Sequence, residues 1–165
     1  MAGRSAISRR RFLGGSSAEE HCRIVPPGAS AESIDNCSGC GECVKVCPTA
    51  IIRLVAGRPS LDFSAGECLL CGECADTCPE PVFAEAARFT HVVAIASHCL
   101  ARNAVSCQSC RDTCLPSAIH FHPQVGGPFM PEIDASACNG CGACIAICPV
   151  SAIRVWHPNL ERTDA

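Results

Sequence analysis

Residues 135–152 read ASACNGCGACIAICPVSA, which places Cys138, Cys141, Cys144 and Cys148 within eleven positions and Pro149 directly behind them. The same spacing, C-x2-C-x2-C-x3-C-P, occurs twice more. CSGCGECVKVCP gives Cys37, Cys40, Cys43 and Cys47 before Pro48, and CLLCGECADTCP gives Cys68, Cys71, Cys74 and Cys78 before Pro79. The two-residue gaps let one tight loop present three thiolates to a single inorganic cube. The last cysteine, after three residues and at the start of a short helix, points elsewhere and reaches the neighbouring cube, as in bacterial two-cluster ferredoxin runs. Zinc would take two thiolates from each knuckle and would gain nothing from the third cysteine at this spacing or from the proline. The runs therefore predict [4Fe-4S] clusters. Gly41, Gly72 and Gly142, each directly after the second cysteine, are expected to take a positive φ and let backbone N–H groups approach the sulfides.

A fourth group is less regular. CQSCRDTCLP supplies Cys107, Cys110 and Cys114, with Cys99 seven intervening residues upstream of Cys107 and neither a glycine nor an immediate proline in its place. Its position in the repeat identifies it as a fourth site, and its widened first gap is expected to expose the cluster. Crossed ligation gives four sets: Cys37, Cys40, Cys43 and Cys78; Cys68, Cys71, Cys74 and Cys47; Cys99, Cys107, Cys110 and Cys148; Cys138, Cys141, Cys144 and Cys114. Of the 17 cysteines only Cys22 is left over, and it reads as a free thiol. With cysteines filling every site, His91, His98, His120, His122 and His157 read as strand and loop residues, and Trp156 as packing for a small core or its rim.

Between the cysteine groups the chain repeats a short strand, a Gly/Pro turn and a second strand. Ile51 to Leu54 would pair with Leu61 to Phe63, and Ile119 to Phe121 with Phe129 to Ile133. AIRV after Cys148 repeats the strand that follows a run, and FTHVVAI before Cys99 reads as an opening strand. The predicted fold is α+β: two tandem bacterial-type two-cluster ferredoxin domains, loop-rich and held together by their clusters. The expected boundaries are a disordered Arg-rich arm at 1–26, a first domain at 27–88 (modules 27–57 and 58–88) and a second at 89–158 (irregular module 89–124, regular module 129–158). A tail covers 159–165, and Pro79 to about Arg88 links the domains.

Composition agrees with this reading. Aromatics are 4% of 165 residues, Tyr is absent, and 13 Gly with 12 Pro leave little for an apolar core. A cysteine-rich short chain also suggests a secreted disulfide scaffold, which needs an export signal. Ser8, Arg9, Arg10, Arg11, Phe12 and Leu13 resemble the twin-arginine motif, but Glu19, Glu20 and His21 stand where the apolar region should follow. The longest apolar run, VVAIA at 92–96, is far short of the roughly 20 residues of a membrane span. A reducing cytoplasm is the expectation, with the basic arm not directing export. Arg4, Arg9, Arg10 and Arg11 leave 9 basic against 16 acidic side chains in the remainder, a balance of −7 that argues against nucleic acid as a partner. No nucleophile with a base, carboxylate pair or phosphate loop is legible, so the chain is expected not to be an enzyme.

Three regular runs, an irregular C-x7-C-x2-C-x3-C third group and the SRRRFL start resemble the NapF family of ferredoxin-type proteins of the periplasmic nitrate reductase system. The resemblance covers almost the whole chain and implies a cytoplasmic iron–sulfur accessory protein. Such a protein contacts the catalytic molybdenum subunit, a NapA-like partner, before export and helps it mature by cluster supply or redox support. The family's cluster ligands would fall on the sixteen cysteines of the four sets. The other reading is an electron-carrier ferredoxin or an electron-transfer subunit of a different oxidoreductase, which needs the same cubes.

Overall fold

A computed structural model describes residues 24–83 and 89–157. The Arg-rich arm to residue 23, Cys22, residues 84–88 of the linker and the tail from 158 lie outside the described residues.

Apolar pairs flank Gly-containing turns twice, and both become hairpins. β1 (Ile52–Val55) and β2 (Arg58–Leu61) are antiparallel, with Ile52 opposite Leu61 and Val55 opposite Arg58. The second strand begins three residues earlier than its sequence suggests, because Ala56 and Gly57, with φ of 51° and 76°, close a two-residue turn. Pro59 is accommodated opposite Leu54 because a two-stranded sheet is all edge. The second hairpin is longer than expected.

In order along the chain, β3 (Val92–Ile95) precedes that hairpin, β4 (Ile119–Gln124) and β5 (Gly127–Ile133), and β6 (Ile153–Trp156) follows it. Ile119 faces Ile133 and Phe121 faces Pro131, and the register slips between His122 and Gln124. β3 and β6 pair with each other, Val92 opposite Trp156 and Ile95 opposite Ile153, so the second half closes its two ends on one ribbon. Val93, Ile95, Ile119, Cys144 and Ile153 form its core, and Ile51, Ile52, Leu61, Phe63, Cys43 and Cys74 form that of the first half.

Four very short helices each carry the third cysteine of a group: α1 (Glu42–Val46), α2 (Glu73–Asp76), α3 (Ser109–Asp112) and α4 (Ala143–Ala146). α1 packs on α2, and α3 on α4. The fourth cysteine of each run stands just past its helix, not at the helix start. The helix opens before the third cysteine, on the glycine after the second, and the proline after the fourth cannot continue it.

Two boundary segments pack against the first half. Leu61 N–H donates to the Ile24 carbonyl at 2.8 Å and Pro26 is fully buried, so residues 24–26, assigned to the arm on sequence, are held in place. Val82, within the expected linker, is 1% exposed, packs with Ala29 and Ile34, and accepts a 2.7 Å hydrogen bond from the Ser33 hydroxyl on its carbonyl. No helix among the described residues is long and apolar enough to cross a membrane.

Candidate metal centre

The loop before each regular helix is shaped by backbone conformations that side chains seldom adopt. Gly41, Gly72 and Gly142 have φ of 79°, 82° and 82°, as the spacing predicts, and each caps the helix that begins at the next residue. In the irregular group Gln108 stands there instead, with φ of −136°, and α3 still forms. A second shared signature lies three residues after the fourth cysteine. Ala50, Ser117 and Ser151 have φ of 52°, 55° and 50° and donate their N–H to the carbonyls of Cys47, Cys114 and Cys148. The irregular group thus ends as two of the regular ones do.

The ten residues around Cys99 are not a slack loop. Ala101–Asn103 form a 3-10 turn, Arg102 Nη1 donates to the Ile95 carbonyl at 2.8 Å, and Asn103 Nδ2 donates to the carbonyls of Ser97 and Cys99 at 2.7 and 2.9 Å. The widened gap is filled by its own chain, so it does not open the site. Cys99, Cys107, Cys110 and Cys114 are all partly buried, and among the described residues the exposed thiols are Cys40 and Cys71 of the first half.

The cysteines gather around four small cavities. The first is lined by Cys37, Cys40, Cys43 and Cys78, the second by Cys47, Cys68, Cys71 and Cys74. Cys99, Cys107, Cys110 and Cys148 line the third, and Cys114, Cys138, Cys141 and Cys144 the fourth. Every cavity takes three thiols from one run and the last thiol of the partner run. Among the described residues no three His, Cys, Asp or Glu side chains come close enough to hold a single metal ion. Thiols spread around a cavity fit a cube several atoms across, whereas tetrahedral zinc would need them within about 2.3 Å of one point.

Burial pushes the Cys74 thiol up to about 11, helped by Cys68, Cys43 and Cys71, and does the same to Cys110, near Cys99, Cys107 and Cys148. Cys144 is pushed up to about 12, by burial first and then by Cys141, Cys138, Cys114 and Cys110. Such thiols stay protonated at neutral pH unless a cation takes the proton's place, so iron binding here must release protons. Burial also pushes Cys47 up, but hydrogen bonds from the Thr49 hydroxyl and from backbone N–H groups beyond it outweigh that and hold it low. Further N–H donors already aim at sulfur: Ala118 to Cys114 and Ala152 to Cys148, both at 3.2 Å, and Gly39 to Cys37 and Leu70 to Cys68, both at 3.4 Å. These bonds stabilise negative sulfur, one of the means by which a protein sets a cluster's potential.

No histidine lines any of the four cavities. His91 is buried, which pushes its pKa down, and its Nε2–H donates to the Gly140 carbonyl at 3.0 Å. His122 lies 3.0 Å from Glu132 across the second hairpin. What the sequence did not disclose is the contact between the halves: Cys68 N–H donates to the Cys141 carbonyl at 2.8 Å, beside Phe63.

The family model of the 4Fe-4S dicluster domain matches residues 36–82, and that of the 4Fe-4S binding domain matches residues 130–153. Cys99, Cys107, Cys110 and Cys114 fall between the two matches. The chain therefore carries [4Fe-4S] clusters in ferredoxin-type domains of mixed helix and strand. Ferredoxin-type protein NapF of Haemophilus influenzae is 41% identical over 162 residues, which is 89% of this chain and 92% of that protein. Ferredoxin-type protein NapF of Escherichia coli strain K12 is 40% identical over 153 residues, 88% of this chain and 92% of its own length. A component of an ion-translocating oxidoreductase complex from Methanosarcina acetivorans is 39% identical over 51 residues, 31% of this chain and 17% of that protein.

Proposed function

We infer the function from the family: this chain belongs to the ferredoxin-type NapF proteins. It is an iron–sulfur accessory protein that works in the cytoplasm on the catalytic molybdenum subunit of a periplasmic nitrate reductase before that subunit is exported. There it helps the subunit mature, by cluster supply or redox support. The match over nearly the full length of NapF carries this reading. The bound clusters supply one-electron chemistry, and the chain's own residues hold them, shield them and set their potential. The sixteen cysteines of the four cavities are the ligands, in the crossed sets, and the domains are two tandem two-cluster units.

Anaerobically purified protein should then hold about sixteen iron and sixteen sulfide, four per cube. Crossed ligation has its own signature. Cys78→Ser should cost about four iron and vacate the cavity lined by Cys37, Cys40 and Cys43, since a hydroxyl is a harder, less acidic ligand than a thiolate. Mössbauer spectra with the remaining clusters assigned through Cys40→Ser check this. Loss from the Cys68 cavity instead would show ligation within each run.

The maturation role is tested with catalytic subunit isolated from cells lacking this protein. Its dye-linked nitrate reduction should be severely reduced and its iron content low. Cells carrying Cys107→Ser and Cys110→Ser together should fall between the two strains. Full specific activity with complete cofactor content would reject maturation and leave electron carriage. One observation favours that second reading: exposed Cys40 and Cys71 stand close to Leu54 and Leu69, which are 40% and 55% exposed, so two sites meet the surface beside apolar side chains suited to a docking redox partner.

A further inference from the structure

The two halves share more than a tether. A Cβ at Gly142 would come within 2.2 Å of Phe63 Cδ1, so the ring lies directly on the backbone of the loop that carries Cys141. Next to it, Cys68 N–H donates to the Cys141 carbonyl at 2.8 Å. Around this point Phe89 stands edge-on to Phe63 with centroids 6.3 Å apart, and His91 is 4.5 Å from Phe89. A Cβ at Gly140 would come within 2.9 Å of both the His91 carbonyl and Phe89 Cβ. Ile145 and Val155 of the second half complete the packing on the core of the first. A seam made of a backbone hydrogen bond, two glycines with no room for a side chain and an aromatic cluster fixes one relative placement of the halves.

We propose that Phe63 and Gly142 are positioning residues that seat the Cys68 loop against the Cys141 loop, so that the four sites form one row along which an electron passes between the halves. The order follows from neighbours. α1 and α2 bring Cys43 beside Cys74, the seam brings Cys68 beside Cys141, and α3 and α4 bring Cys110 beside Cys144. The Cys37 site and the Cys99 site are therefore the ends of the row. Clusters held by the Cys68 and Cys141 loops would exchange one electron across the seam, one being oxidised as its neighbour is reduced, and the role of Phe63 and Gly142 is to hold the two loops together.

The inference rests on the ligand sets proposed above, and one experiment separates the two. Full-length protein is purified anaerobically, its iron and sulfide are counted, and its electron paramagnetic resonance spectrum is recorded after full reduction with dithionite. The wild type should hold about sixteen iron and show magnetic interaction extending beyond two separate pairs. Phe63→Ala lies outside every cysteine run and should keep its iron while losing the interaction across the seam; Phe63→Leu should restore it. A wild-type spectrum that is the plain sum of two coupled pairs, or a fully loaded Phe63→Ala protein identical to wild type, would overturn the row. Iron far below sixteen in the wild type removes the ligand sets and the row with them. If Phe63→Ala sheds iron, the wild-type spectrum alone decides.

Discussion

Anaerobic removal of iron with a chelator is expected to unfold this protein. The α-helices among the described residues are four or five residues long, well under the roughly 12–15 needed for a helix to persist alone. The sheets among the described residues are three separate two-stranded ribbons, each marginal in water. The buried core of each half includes the cysteines themselves, and Cys74, Cys110 and Cys144 sit where burial strongly disfavours a bare thiolate. Metal-binding free energies of roughly 10–16 kcal/mol, known for structural zinc, match the whole ~5–15 kcal/mol of a typical domain. Far-UV circular dichroism should therefore lose most of its structured signal, and the hydrodynamic radius should rise toward that of an unfolded chain. An apo protein that keeps hydrogen-exchange protection in β4 and β5 would show that packing alone holds the fold.

Within the loaded protein, Ile51→Ala should be among the most damaging changes outside the thiols. Ile51 is 1% exposed, packs with Ile52, Leu61 and Phe63, and helps to line the cavity of Cys47, Cys68, Cys71 and Cys74. Its carbonyl also accepts the Asp62 N–H at 2.8 Å, so the backbone there cannot easily close over the space left behind. Truncations of this kind cost about 2–5 kcal/mol, a large share of the total. The anaerobic melting midpoint should fall by on the order of 10 °C, and iron should leave the Cys68 site sooner than the others. Ile147→Ala, at a side chain 45% exposed, is the control and should stay within about 0.5 kcal/mol of wild type.

The cysteine groups and both hairpins were legible because their signals are local: fixed spacing, a glycine after the second cysteine, apolar pairs around a turn. The spacing marks which cysteines form a run, but it does not by itself separate crossed ligation from ligation within a run. Contacts between distant residues were not legible. Nothing in VVAI or IRVW says that the two pair, because any short apolar strand fits many partners. Val82 looked like linker because it follows Pro79 and Pro81 and precedes no clear element, although it packs beside Ile34. The widened Cys99 gap looked like exposure because the spacing does not reveal that Arg102 and Asn103 fold back on carbonyls of their own loop. Phe63 was legible as a strand end, but the glycine against which it rests lies nearly eighty residues away.

The pairing of β3 with β6 bears on the order in which the protein is made. In the second half the strand at Val92 waits for Trp156, and the cavity that begins with Cys99 waits for Cys148. Both need residues of the last cysteine run and the last strand, whereas the two cavities of the first half are lined by nothing beyond Phe83. A chain cut short after the third cysteine group would carry thiols with no fourth partner and a strand with no ribbon. The first half can therefore form its sites before the second, and the irregular site waits for Cys148 as its neighbour waits for Cys144.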